Sequence, residues 1–228
     1  MKRLVLPRLY VILDAALLKP SKSQQSEKEC TEKMLAVGVR LLQFRDKQAS
    51  PRELLEKSRG IAETVCPQGA LFFVNDRPDV ANLAGASGVH VGQHDLNPEQ
   101  ARAALGKEQF VGVSTHNLQQ FAAAAATTAD YIAVGPIFET RTKAHPDPTV
   151  GAELIRSARA LTDKPIVAIG GITLRSVAEI IAAGADSVAV ISDIFLASDP
   201  VEQAAKYIAV LGDLPPGETP RDVNVSPS

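Results

Sequence analysis

A chain of 228 residues with 45% apolar side chains can bury a full core, as one α/β domain or as two small ones. Its 24 Lys and Arg against 26 Asp and Glu, with no Trp, announce no basic, aromatic-laced surface for nucleic acid. No uncharged apolar run reaches the roughly 18 residues that a membrane helix requires, and Cys30 and Cys66 stand apart from each other and from any His at ligand spacing, which argues against a disulfide framework or a zinc site. A soluble protein in a reduced, cytoplasmic setting is the expectation.

The opening stretch, MKRLVLPRLYVILDAALL, is basic and then apolar, as a signal peptide is. Pro7, Arg8 and Asp14 interrupt it and no small-residue cleavage site follows, so LYVILD reads as a first strand. The helical spacing of EKECTEKMLAVG comes next, then a second strand in VRLLQFR and a helix in SPRELLEKSRGIAETV. LFFVND and GVHVG are strands three and four. PEQARAALG predicts a helix, FVGVST and DYIAVGP strands five and six, PIVAIGG strand seven, LRSVAEIIAAG a helix and SVAVIS strand eight. The joints LAGASGVHVG, ATTADYIAVG and IAAGADSVAV form a weak internal repeat in which a small-residue helix end turns straight into a strand.

Strands that are apolar at nearly every position belong to a parallel sheet buried on both faces. Eight such strands alternating with helices in a chain of this size predict a single-domain (β/α)8 TIM barrel over residues 1–212. An open doubly wound sheet would need a Gly-rich dinucleotide turn after the first strand, and LDAALLKP is not one. Residues 213–228, which include LPPGETPRDVNVSPS, are rich in Pro and polar side chains and are expected to form a mobile, dispensable tail.

Catalytic groups of this fold sit where the strands end. Strand two ends in QFRDK, and alternation puts Gln43, Arg45 and Lys47 on one side; strand three ends in Asn75 and Asp76, and strand four is followed by Gln93 and Asp95. Two carboxylates from adjacent strands, beside an Arg and a Lys, suit a hydrated Mg²⁺ that completes its shell with phosphate oxygens. The same residues could instead form rim salt bridges and helix caps, as Asp76 before RPDV could. Ser114, Thr115 and His116 end strand five, where a turn or a cap is the plain alternative. The long connection after strand six packs Thr140, Arg141, Thr142 and Lys143 together before Pro-rich chain, the content of a lid or an anion clamp. AIGGIT and VIS after strands seven and eight offer backbone N–H groups at helix N-termini, where barrels hold phosphate and where a side chain on Gly171 would intrude. Two anionic sites, one metal-assisted and one metal-free, imply two phosphorylated substrates.

QFRDK, FFVNDRPDVA, GVHVGQHDL, GVSTHN, DYIAVGPIFETRTK, PIVAIGGI and AVIS together resemble the thiamine phosphate synthase family over most of residues 9 to 195. The resemblance implies the barrel fold. It also implies a Mg²⁺-dependent transferase that joins 4-amino-2-methyl-5-hydroxymethylpyrimidine diphosphate to 4-methyl-5-(2-phosphoethyl)thiazole, or its carboxylated form, releasing pyrophosphate. By motif match, Gln43, Phe44, Arg45, Asp46, Lys47, Asn75, Ser114 and Lys143 would hold the pyrimidine diphosphate, with Arg45, Lys47, Ser114 and Lys143 acting in catalysis. Asp76 and Asp95 would hold Mg²⁺, and Thr140, Arg141, Thr142, Gly171, Ile191 and Ser192 would take the thiazole phosphate. A thiazole tautomerase on the same barrel, or a phosphate sensor without turnover, stands as the alternative. The resemblance implies no nucleic acid or membrane partner and leaves a homo-oligomer open.

Overall fold

The computed structural model describes residues 4–18, 27–140 and 148–214. Chain order begins with β1 (Leu9–Asp14), α1 (Glu27–Ala36), β2 (Leu41–Arg45), α2 (Pro51–Val65), β3 (Leu71–Asn75), α3 (Pro78–Ala84) and β4 (Gly88–Val91). It continues through α4 (Pro98–Ala104), β5 (Phe110–Thr115), α5 (Leu118–Ala125), β6 (Tyr131–Val134), α6 (Gly151–Arg159), β7 (Ile166–Ile169), α7 (Val177–Ala182), β8 (Ser187–Val190), α8 (Ser192–Phe195) and α9 (Pro200–Asp213). All neighbouring strands pair in parallel, and β8 closes on β1 through Leu9↔Val188, Tyr10↔Ala189 and Val11↔Val190.

Each of the eight sequence-predicted strands is present, several shorter by a residue or two at their ends. Local chemistry explains where helices begin. Ser50 accepts from the Glu53 N–H (3.3 Å) while the Glu53 carboxylate accepts from the Ser50 N–H (2.8 Å), and Pro51 needs no donor at the first helical position. Asn97 and Gln100 repeat that box at α4. The segment LRSVAEIIAAG is helical only from Val177, because the Ser176 N–H donates to the Thr173 carbonyl (2.9 Å) and turns the chain first.

Strand period two divides the core. Leu9, Val11 and Leu13 of β1, Leu42 and Phe44 of β2, and Phe72 and Val74 of β3 face the helices in one large cluster. Tyr10, Ile12, Leu41, Phe73, Tyr131, Ala133, Val167 and Ala189 fill the barrel interior, with Leu4 and Leu6 packed into the same inner cluster ahead of β1. Full burial of each such Leu, Ile, Val or Phe contributes about 1.5–3 kcal/mol. The Arg8 guanidinium donates to the carbonyls of Leu211 (2.7 Å) and Leu214 (2.6 Å), tying the end of α9 to the start of β1.

Gly112 shows how tightly the interior is filled. A Cβ there would lie 2.0 Å from Cζ and 2.4 Å from the hydroxyl of Tyr131, a ring boxed in by Phe73 at 5.4 Å between centroids. Gly112→Ala is therefore expected to destabilise the barrel by roughly 1–3 kcal/mol, read from the midpoint of denaturant unfolding.

Candidate active site

Every strand contributes to one cavity of about 590 Å³ at the C-terminal ends of the barrel. A second cavity of about 670 Å³ opens beside it and shares Arg45, Thr140, Gly171, Ile172 and Ser192. The inward parity of β2 brings Gln43, Arg45 and Lys47 to the first cavity together with Asn75, Asp76, Asp95 and Ser114. Phe44 takes the opposite parity and is buried against the helices. Asp46 also lies off the cavity lining: it accepts from the N–H groups of Gln48 and Ala49 (both 3.0 Å) and from Lys57 Nζ (3.2 Å), shaping the turn into α2. Thr140, Gly171, Ile191 and Ser192 line the rim as the sequence expects, whereas Arg141, Thr142 and Lys143 lie outside the described residues.

Asp76 does not cap α3. The N-cap is Arg77, with no side-chain cap bond, and Asp76 itself has φ 61°, a left-handed conformation that Asp tolerates better than most side chains. Its N–H donates to the His90 carbonyl (2.8 Å), and its carboxylate pairs with Lys47 and reaches Asp95. Asp95 accepts from the Gly92 N–H at 2.8 Å. Burial, followed by the neighbouring Asp76 carboxylate, raises the Asp95 pKa above the usual carboxylate range. Two acids held this close carry their charges at a cost unless a cation stands between or beside them.

Gly170 and Gly171 have φ 99° and 64°, so the turn after β7 depends on glycine. A steric reason is present in the protein itself. A Cβ on Gly171 would lie 2.4 Å from the Glu139 carbonyl oxygen and 2.8 Å from Phe138 Cβ, so the connection after β6 by itself excludes a side chain there. That connection is pinned by bonds from Ile137 N–H to the Ile169 carbonyl (2.9 Å) and from Phe138 N–H to the Gly170 carbonyl (3.0 Å). Nor does a helix follow Gly171 at once; the helix that starts directly at the rim is α8, at Ser192.

Several groups at the site are not singled out in the sequence. Asp14, the register partner of Arg45, is almost fully buried and forms an ion pair with its guanidinium. Gln43 Nε2 donates to the Tyr10 hydroxyl (2.8 Å), which bonds the Tyr131 hydroxyl (3.1 Å). His90 places Nδ1 2.8 Å from the Tyr131 oxygen and Nε2 2.8 Å from Ser114 Oγ. His116 does turn the chain, with Nδ1 at 2.5 Å from the Gly135 carbonyl oxygen, yet it also lines the cavity. The missed signal was a polar residue at an inward position of an otherwise apolar strand.

A sequence model described as thiamine monophosphate synthase matches residues 9–194. The chain belongs to that family. A thiamine-phosphate synthase from Koribacter versatilis (strain Ellin345) is 48% identical over 208 residues, covering 91% of this chain and 97% of the relative. One from Chloroflexus aurantiacus is 39% identical over 204 residues, covering 90% and 92%. The solved thiamine phosphate pyrophosphorylase from Pyrococcus furiosus superposes with a TM-score of 0.80 at 31% identity, covering 90% of this chain and 96% of its own. For a thiamine monophosphate synthase fold, the rim chemistry is consistent with a hard divalent cation: Asp76 and Asp95 offer carboxylate oxygens of the type Mg²⁺ accepts. Among the described residues no cluster of three or more His, Cys, Asp or Glu could hold a metal, so a cation at this pair must draw its other ligands from water or from a bound phosphate.

The raised Asp95 pKa has a sign that can be tested. A carboxyl whose pKa is higher folded than unfolded costs stability once it ionises, and that cost fades as pH falls toward its unfolded value of about 4. Asp95→Asn in EDTA is expected to melt slightly above the unsubstituted protein at neutral pH, the gain kept small by solvent screening of this exposed carboxyl. The gap should narrow on acidification; a scanning calorimetry series across pH checks both.

Proposed function

We propose that the mouth of this barrel forms thiamine phosphate from 4-amino-2-methyl-5-hydroxymethylpyrimidine diphosphate and 4-methyl-5-(2-phosphoethyl)thiazole, or the carboxylated thiazole, with release of pyrophosphate. The observation that carries the reading is one cavity that joins a carboxylate pair flanked by Lys47 and Arg45 to a glycine turn and a short helix start at Gly171 and Ser192. That is room for a diphosphate on one side and a monophosphate on the other.

Asp76 and Asp95 would hold Mg²⁺, which when bound supplies positive charge against the diphosphate oxygens. Arg45, fixed by Asp14, and Lys47, released from Asp76, add donors on the same side, and Lys143 is assigned to the departing pyrophosphate. Gln43, Asn75 and Ser114 hold the pyrimidine. Thr140, Arg141, Thr142, Ile191 and Ser192, with the backbone at Gly171, take the thiazole phosphate. The aminopyrimidine ring can stabilise positive charge on its exocyclic carbon, so the C–O bond breaks ahead of attack by the thiazole nitrogen. The chain then supplies position and charge stabilisation, not a strong base.

Phosphorylated substrates do not cross membranes unaided, which supports a cytoplasmic site of action. No helix among the described residues is long and apolar enough to span a bilayer.

Mixing both substrates with Mg²⁺ should yield thiamine phosphate and pyrophosphate in equal amounts, and EDTA should abolish it. Asp76→Ala is expected to lower kcat by about 100-fold or more while the barrel stays folded, its melting temperature falling by only about 2–4 °C because Ala tolerates φ 61° less well than Asp. Binding of both ligands without turnover would make the chain a sensor, and full activity in EDTA would remove the metal assignment. Lys143→Ala should reduce kcat by a larger factor than it raises either KM, since charge on the leaving group grows only toward the transition state. Steady-state kinetics on both substrates checks the split.

A further inference from the structure

Tyr131 is fully buried and is not among the residues lining the cavity, yet its hydroxyl stands midway in a hydrogen-bonded chain that ends on Ser114. The chain runs Gln43, Tyr10, Tyr131, His90, Ser114, with links of 2.8, 3.1, 2.8 and 2.8 Å, and draws one residue from each of β2, β1, β6, β4 and β5. The interior is shaped for it. Gly112, two residues before Ser114, leaves the space that the Tyr131 ring occupies, and the His90 ring stacks on that ring at 5.5 Å between centroids.

Counting hydrogens gives the chain a direction. An amide nitrogen has donors and no lone pair to offer, so with Gln43 Nε2 on Tyr10 the Tyr10 oxygen accepts and its own hydrogen goes to Tyr131. Tyr131 then donates to His90 Nδ1, which must be unprotonated. The ring proton sits on Nε2 and is donated to Ser114 Oγ. Ser114 has thereby accepted from within the protein, and its hydrogen is the one left to offer the cavity. Were the Gln43 amide reversed, every bond would run the other way and Ser114 would face the ligand as an acceptor.

The geometry points to Tyr131 and His90 as positioning residues that fix Ser114 as a hydrogen-bond donor toward the bound pyrimidine diphosphate. Neither is needed to carry charge or form a bond; they decide which way one hydroxyl faces in a site where water would otherwise let it rotate. The inference rests on the assignment of this mouth to thiamine phosphate formation. Turnover by the unsubstituted protein tests that assignment alone, and the histidine tautomer tests the chain alone.

Tyr131→Phe removes one oxygen and keeps the ring that Phe73 and His90 pack against. Nitrogen-15 spectra of histidine-labelled protein should show His90 neutral with its proton on Nε2, and Tyr131→Phe should abolish that single preference. Tyr131→Phe is expected to lower kcat/KM about tenfold in the native background and less than about twofold in a Ser114→Ala background, because a residue acting through Ser114 has nothing left to orient. A proton on Nδ1 of His90 in the unsubstituted protein would overturn the direction assigned. An equal loss in both backgrounds, or no loss in either, would reduce Tyr131 to a packing role.

Discussion

Closure of the sheet between β1 and β8 is the constraint on which the site depends. Eight parallel strands in one ring bring eight C-terminal ends to a single rim, so residues as distant in sequence as Asp14 and Ser192 come to line the same cavity. Closure also seals the interior from water. Any polar group on an inward position below the rim must find its partners among other inward positions, and Gln43, Tyr10, Tyr131 and His90 do so.

A gradient of polarity follows from the same geometry. Deep in the barrel Leu4, Leu6, Leu41 and Phe73 exclude water; one layer up, neutral polar side chains form a satisfied network; at the rim Arg45 pairs with Asp14 and Lys47 with Asp76, and Asp95 stands beside the second pair. Apart from Asp14, buried behind Arg45, these rim charges keep contact with solvent, where a phosphorylated ligand can replace the partner. The pair Lys47 and Asp76 illustrates this: each satisfies the other in the free protein, and a diphosphate with a cation can satisfy both when bound.

Backbone strain is concentrated at that rim. Asp76 is the only described non-glycine residue with positive φ, and Gly170 and Gly171 take the same half of conformational space across the mouth. The surrounding bonds hold these turns: the Asp76 N–H on the His90 carbonyl, and Ile137 and Phe138 on the end of β7. Each strained turn therefore borrows its rigidity from a neighbouring strand, which keeps the acidic pair and the glycine turn in fixed relation.

The sequence by itself determined the strands, their order, the barrel and the family, because those rest on local pattern: apolar runs at intervals, caps such as Ser50 with Glu53, and motifs whose residues are close along the chain. It also indicated which polar groups reach the rim, since alternation along β2 places Gln43 and Arg45 together whatever lies next door. Only the tertiary structure decided what those groups touch. That Asp14 holds Arg45, that His90 bridges Tyr131 to Ser114, and that Phe138 and Glu139 leave no room for a side chain on Gly171 are contacts between strands or loops far apart in sequence. Spacing within one strand carries no information about the side chain that closure of the barrel sets opposite it.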